Sequence, residues 1–395
     1  MILPLADCGM TVMPPGIHSQ QEYNGCRRSQ RDQEQRVSRW PHSGPVCGSC
    51  ARTGIALVQQ GAGLGAGYED EALCSGRRQP VCGCGHGVRT GGQIVKVKEP
   101  QPDECRMLRS GQLLFAYLHL AADPEQARLL MASGSSAIAY ESVRDRQGAL
   151  PLLAPMSEVA GRLSIQQGAR YLEKHHGGKG VLLGGVPGVA SARVLVLGGG
   201  VVGLSAARVA MGMGADVTIL DRSLPRLRHL DDLYGDRLHT LYSSTETLEQ
   251  QLERADLVIG AVLIPGAAAP RLVSRAMLQK MQPGTVMVDV AIDQGGCFET
   301  SRPTTHENPV FEVDGIIHYC VSNMPGAVPR TSTQALSHAT LPFVLALANK
   351  GLHKALAEDA CLREGLNIHA GQLSCAPVAD ALGLPWVPAE KALAG

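Results

Sequence analysis

His119 follows the apolar run 113–118, and Asp293 follows the run 286–292. Ligands of open parallel sheets bind beyond the carboxyl ends of the strands, so both residues fall where chemistry is done. An imidazole titrates near neutrality and can take a proton in one step and return it in the next. Lys98 ends its own run, 93–98, and a cation there suits a carboxylate substrate, whereas Asp289 lies inside its strand and reads as structural. Taken singly, a strand-end histidine is more often a hydrogen-bonded structural residue, and a lone lysine more often a solvated one.

A second constellation is contiguous. Val194-Leu195-Val196-Leu197 runs straight into Gly198-Gly199-Gly200-Val201-Val202-Gly203, a strand feeding a G-x-G-x-x-G turn. Gly198 permits the tight turn, Gly200 lets the backbone approach a pyrophosphate, and Gly203 lets the following helix pack closely on the strand. A pyrophosphate there meets the free N–H groups of a helix N-terminus. Asp221 closes the next apolar run, 18 residues past Gly203. A carboxylate at that place takes ribose hydroxyls and repels a 2′-phosphate, so the expected cofactor is NAD rather than NADP.

The elements that must position these groups follow from the pattern. Strands are expected at 93–98, 113–118 and 136–140, with a helix opened by Asp123-Pro124 and stopped near Gly134. Strand, helix and strand in succession imply a parallel sheet. Ser157-Glu158 is read as the start of a long helix ending at the Gly177-Gly178 pair. After Asp221, strands at 257–262 and 285–292 flank a helix at 273–281, and 335–350 is helical.

Composition excludes several classes. A chain of 395 residues suggests about two to three domains. Lysine plus arginine and aspartate plus glutamate are 36 each, which leaves no bulk charge for nucleic acid or an acidic membrane. No apolar run reaches the roughly 18 residues of a membrane span. Residues 1–8 carry an acid and no basic leader, so no signal peptide is expected and the cytoplasm is the expected compartment. Seven of the twelve cysteines fall in the first 84 residues, where Cys47-Gly48-Ser49-Cys50 and Cys82-Gly83-Cys84-Gly85-His86 have the look of zinc half-sites. The surrounding stretches 1–54 and 73–91 lack apolar periodicity and are expected to form neither strand nor helix, so no metal site is expected.

Five segments together carry a family resemblance: Lys96-Val97-Lys98-Glu99-Pro100-Gln101-Pro102, Tyr117-Leu118-His119-Leu120-Ala121-Ala122, residues 154–162, residues 290–299 and Asn323-Met324-Pro325-Gly326-Ala327-Val328-Pro329. They resemble the bacterial L-alanine dehydrogenase family, which it shares with transhydrogenase alpha subunits, almost continuously from Gln93 to about residue 385. The resemblance implies an α/β fold of two Rossmann-like domains with doubly wound parallel sheets. It places a substrate domain at 1–151 and 330–395, with an NAD domain, 152–329, inserted between. It implies NAD-dependent, reversible oxidative deamination of L-alanine to pyruvate and ammonium, and a homohexamer. Carried over residue by residue, it makes His119 the general acid/base and Asp293 the second catalytic residue, with Lys98 and Arg36 on the substrate carboxylate. The implied NAD contacts are Ser157, Gly198, Gly200, Val201, Val202, Gly203, Asp221, Arg226, Ser243, Val262, Leu263, Val290, Ala291, Ile292, Asp293, Arg302, Val321, Ser322, Asn323 and Met324. Arg226 stands where the family pattern has lysine, which keeps the charge and alters its geometry.

The amino-terminal part departs from the family. Residues 31–38, which hold Arg36, and residues 55–72 look like family sequence, while 39–54 and 73–91 match nothing. Such islands are what compensating frameshifts in a GC-rich gene produce, and they imply a substrate domain short of a helix and a strand. Two alternatives to an active dehydrogenase follow: an NAD-binding chain inactive for that reason, and a transhydrogenase NAD-binding subunit, which shares the architecture.

Overall fold

The computed structural model describes residues 11–13, 56–59, 62–69, 78–81, 92–262 and 269–394. These form two compact units: one takes the described residues up to Pro155 and those from Val328 onward, the other Met156 to Ala327.

The first unit is built on an eight-stranded sheet. Its strands are β1 (Thr11–Met13), β2 (Ala56–Gln59), β3 (Arg78–Val81), β4 (Gln93–Val95), β5 (Leu113–Ala116) and β6 (Ser136–Ala139). The chain returns late to add β14 (Leu366–His369) and β15 (Gln372–Leu373), and the order is β15-β14-β6-β5-β4-β1-β2-β3. The expected parallel arrangement holds for β4, β5 and β6. The flanks differ: β1 is antiparallel to both β2 and β4, and β14 is antiparallel to β6 and to β15. No crossover helix is needed between β14 and β15, because Ala370 and Gly371, both at positive φ, close a two-residue hairpin. Strands β1 and β3 also overturn the expectation that 1–54 and 73–91 hold no regular structure. β3 is the terminal strand of the sheet, and an edge is where Pro80, having no N–H to give the ladder, is tolerated. A strand of the sheet thus forms inside the stretch 73–91.

All four residues of β5 are buried, as a continuous apolar run should be in a strand covered on both faces. Helix α1 (Pro102–Met107) begins with a capping box between Gln101 and Glu104. Helix α2 (Pro124–Ser133) is capped by Asp123, whose carboxylate accepts from the Gln126 N–H at 3.0 Å, and stops at Gly134 with φ +67°. Leu114, Leu118, Leu130 and Ile368 meet in the core beneath these helices.

The second unit carries a seven-stranded sheet of β7 (Arg193–Leu197), β8 (Asp216–Asp221), β9 (His239–Tyr242), β10 (Leu257–Gly260), β11 (Val286–Asp289), β12 (Val310–Val313) and β13 (Ile316–Tyr319). Its order, β12-β13-β11-β10-β7-β8-β9, is parallel throughout save for the edge strand β12. Counted from β7 and leaving β12 aside, this is the 3-2-1-4-5-6 order of a dinucleotide-binding fold, with the switch point between β7 and β10. Helix α3 (Ala154–Tyr171) starts three residues earlier than the expected Ser157, since Pro155 is well placed in a first helical turn. The expected helix at 273–281 shrinks to one turn, Arg275–Leu278. The strand expected to reach Ile292 ends at Asp289 and gives way to a 3-10 turn, Ile292–Gln294. The late helix spans Pro329–Lys350, entered by a proline in its first turn.

Candidate active site

In the first unit, three neighbouring parallel strands end together. β4 leads to Lys98 and Glu99, β5 to His119, and β6 to Glu141. The His119 Nδ1 lies 2.5 Å from Glu99 Oε1, and the Lys98 Nζ lies 4.0 Å from the same oxygen. His119 occupies the left-handed region, φ +46°, a conformation that costs a non-glycine residue about 1–3 kcal/mol. The Glu141 carboxylate holds it there, accepting the His119 N–H at 2.7 Å and the Leu118 N–H at 3.2 and 3.3 Å. The Tyr117 ring stacks on the imidazole at 5.8 Å, and its hydroxyl is anchored on the Leu152 carbonyl at 2.6 Å.

The charges around His119 decide its titration. Burial alone lowers its pKa, but the Glu99 hydrogen bond and the negative charges of Glu141 and Glu99 outweigh burial and Lys98, and the imidazolium is favoured. Burial likewise raises Glu99, yet the His119 hydrogen bond and the Lys98 charge hold its carboxyl below the ordinary range. The Lys96 ammonium points elsewhere and pairs with Glu104 at 2.5 Å, so of the two nearby lysines Lys98 is the one at the cluster.

In the second unit the glycine turn is shaped by backbone contacts. A Cβ on Gly203 would lie 1.8 Å from the Gly198 carbonyl oxygen, and one on Gly161 2.2 Å from that of Val202. Helix α4 (Val201–Gly212) thus packs against β7 and α3 without room for a side chain. Gly198 has φ +99°, where a Cβ would be strained. Gly200 is different, because a Cβ there would meet nothing within 4 Å. Open space at the first N–H groups of a helix is what a bound pyrophosphate requires.

The Asp221 carboxylate caps this turn, accepting the Gly199 N–H at 2.7 Å and the Ser223 N–H at 2.8 Å through different oxygens. Each oxygen keeps a lone pair with which to accept a ribose hydroxyl. Arg226 Nε donates to the Gly199 carbonyl at 2.6 Å, so this arginine buttresses the turn. The donor set and the open cradle fit a dinucleotide.

The remaining expected contacts follow the same edge of the sheet: Ser243 after β9, Val262 after β10, Val290 to Asp293 after β11, and Val321 to Met324 after β13. Val202, Ala291, Ile292, Val321 and Met324 are buried. Asp293 is exposed, and its carboxylate has no hydrogen bond among the described residues. Buried Asp289 ties down the loop that carries it, accepting from Ala291 N–H, Cys297 N–H and Ser301 Oγ at 3.1, 2.8 and 2.5 Å. Its burial raises the pKa against these hydrogen bonds. Asn323 sits at φ +61°, its carbonyl 3.2 Å from His306 Nε2. Arg302 lies over the Phe311 ring at 4.3 Å, and Ser157 falls in the first turn of α3. Arg36, Leu263 and the cysteine-rich half-sites lie outside the described residues.

Lys98 and His119 belong to the first unit and Asp293 to the second. The sequence reading missed Glu99 and Glu141 as members of the His119 cluster. The strand-end rule that singled out His119 also points to Glu141, which follows the run 136–140. Among the described residues one group, Glu173, His175 and His176, brings three potential metal ligands within 4.8 Å. There Arg170 Nε donates toward His176 Nε2 at 3.4 Å.

Comparison with known proteins places this geometry. The family described as "Alanine dehydrogenase/PNT, N-terminal domain" matches residues 25–160, and "Alanine dehydrogenase/PNT, C-terminal domain" matches residues 164–376. An alanine dehydrogenase of Halomonas elongata is 56% identical over 338 residues, covering 85% of this chain and 90% of the relative. One of Bacillus subtilis is 50% identical over 370 residues, covering 93% and 97%. A solved L-alanine dehydrogenase superposes with a TM-score of 0.79 at 50% identity, over 83% of this chain and 90% of that one. A transhydrogenase structure from Sinorhizobium meliloti, 23% identical with a TM-score of 0.68 over 81% and 90%, shares the fold. With both domain families matched in order and relatives above half identity over most of its length, the chain belongs to the alanine dehydrogenase/PNT family.

Proposed function

We propose that this chain is an enzyme that converts L-alanine, NAD and water to pyruvate, ammonium, NADH and a proton, reversibly. The observation that carries the reading is the cluster of Lys98 and His119 at adjoining strand ends, in a chain 56% identical to an alanine dehydrogenase. NAD, when bound, supplies the acceptor for the hydride that leaves Cα. The turn from Gly198 to Gly203 holds its pyrophosphate, and Asp221 its ribose hydroxyls. Lys98 holds the substrate carboxylate and, in the reverse direction, polarises the carbonyl oxygen of pyruvate, with Arg36 as the second cation. Asp293 serves as the second catalytic residue.

His119 moves the protons. In alanine oxidation it accepts a proton from the water that adds to the imine carbon, then returns one to the nitrogen as the C–N bond breaks and ammonia departs. A group that must be base in one step and acid in the next works best when it titrates near the operating pH, which an imidazole does. The resemblance to its family supports a cytoplasmic homohexamer, which equilibrium sedimentation would read. The test of the function is reduced-cofactor formation from L-alanine at alkaline pH, run beside NADH binding by fluorescence; turnover supports the reading, and binding alone defeats it.

A further inference from the structure

The function above leaves Glu99 without a role, yet it makes the shortest contact in the cluster. Its Oε1 lies 2.5 Å from His119 Nδ1. An ionised carboxylate can only accept, so in this pair Nδ1 must carry the hydrogen. We infer that Glu99 is a positioning residue that locks His119 in the Nδ1–H tautomer and leaves Nε2 as the nitrogen that exchanges protons with the substrate.

Three features of the geometry support this. The His119 Nε2 has no hydrogen-bond partner among the described residues, so its lone pair is available. The ring cannot easily turn over to present the other nitrogen, because Tyr117 stacks on it nearly parallel, 15° between planes, and the Tyr117 hydroxyl is fixed to Leu152. The backbone of His119 is pinned independently by Glu141, so Glu99 is free to act on the side chain alone. The division of labour between two carboxylates is then defined: Glu141 holds the main chain in its left-handed conformation, and Glu99 holds the imidazole.

The charged groups facing the imidazole are Lys98 and Glu99 from the segment after β4, and Glu141 from the segment after β6. When His119 accepts a proton at Nε2, the Glu99 carboxylate stabilises the resulting imidazolium; when it gives the proton back, the Nδ1–H stays where it was. One proton enters and leaves at Nε2, and Glu99 itself is never protonated. The inference rests on His119 being the general acid/base, and its test must separate failure of that reading from failure of the tautomer lock.

The experiment is ¹⁵N NMR of the histidine-labelled full-length protein, with His119→Gln to assign the signal, beside steady-state kinetics of Glu99→Gln and Glu99→Ala. The wild type should show His119 as the Nδ1–H tautomer at alkaline pH. Glu99→Gln, whose carbonyl still accepts from Nδ1, should keep the tautomer and most of kcat but move the acid limb of the alanine-oxidation profile to lower pH. Glu99→Ala should lower kcat about tenfold or more, with NADH affinity unchanged and KM for alanine altered much less than kcat. An Nε2–H tautomer in the wild type overturns the inference. So does a Glu99→Ala enzyme with kcat within about twofold of wild type and an unshifted limb. If no variant, nor the wild type, turns over alanine, the dehydrogenase reading falls and the NMR result alone decides the tautomer lock.

Discussion

The two units solve the problem of holding a small molecule by opposite means. In the second, the candidate cofactor cradle is main chain: glycines whose absent Cβ atoms would lie 1.8 to 2.9 Å from carbonyl oxygens, a helix N-terminus, and one carboxylate that braces the turn. In the first, the candidate reaction site is side chain: a histidine hydrogen-bonded to two glutamates, with a lysine 4.0 Å from one of them, brought together from three strand ends. A cradle of backbone is specified by which side chains are missing over a few consecutive residues. A cluster of charges is specified by tertiary apposition, and its members keep their chemistry only while their partners stay in place.

The comparison predicts different kinds of damage. The largest effect should come from His119→Ala, which removes the proposed proton carrier: kcat is expected to fall roughly a hundredfold to ten-thousandfold, with NADH binding by fluorescence unchanged. Asp293→Ala should likewise abolish most turnover and spare NADH binding. Normal rates in both variants would place the chemistry elsewhere.

Gly203→Ala should break the other region by structure alone. Its Cβ would meet backbone at 1.8 Å, with no flexible side chain to yield, so a stability loss of about 3 kcal/mol or more is expected in urea titrations. Gly200→Ala is the control that sharpens the point. Its Cβ meets no protein atom within 4 Å, so stability should stay within about 0.5 kcal/mol while NADH binding weakens. Equal stability losses in the two variants would contradict the cradle described here.

Lys98→Ala should raise KM for alanine and pyruvate about ten- to a hundred-and-fiftyfold, the value of one charge-assisted hydrogen bond of roughly 1.5–3 kcal/mol, and leave KM for NAD nearly unchanged. Asp221→Ala should weaken NAD binding and narrow the preference over NADP, through the loss of both an acceptor and a negative charge. Part of that loss will be indirect, since Asp221 also holds the Gly199 and Ser223 N–H groups.

The smallest effect is in pH. In the proposed mechanism alanine oxidation needs neutral His119; against burial, the largest influence, and Lys98, the Glu99 hydrogen bond and the charges of Glu141 and Glu99 raise its pKa on balance. The acid limb of kcat/KM for alanine should therefore lie above the ordinary histidine value of about 6.5. Pyruvate amination, which needs the imidazolium, should persist to the same higher pH before it declines.

Much of the cofactor cradle was legible in the sequence because it is contiguous: the strand, the three glycines, the helix and the acid read in order from Val194 to Asp221. A topological rule about strand ends put Lys98 and His119 just beyond neighbouring parallel strands, where the structure has them, while Asp293 lies in a 3-10 turn four residues past its strand. Glu99 and Glu141 were not recognised as partners of His119, since the sequence shows neither which strands are neighbours nor that a histidine will adopt φ +46°. The antiparallel flanks of the first sheet escaped for a related reason. β1 is only three residues long and is held by antiparallel pairing with β2 and β4, far along the chain, rather than by its own pattern. The early start of α3 turns on Pro155, whose fixed φ suits a first helical turn that begins three residues before Ser157.

The most direct test of the whole account is a coupled assay on the purified full-length chain with L-alanine and NAD at alkaline pH, measuring NADH and pyruvate in the same sample. The account predicts the two products in a one-to-one ratio, their formation lost in His119→Ala and much slower with NADP. NADH bound tightly while neither product forms from alanine would contradict it.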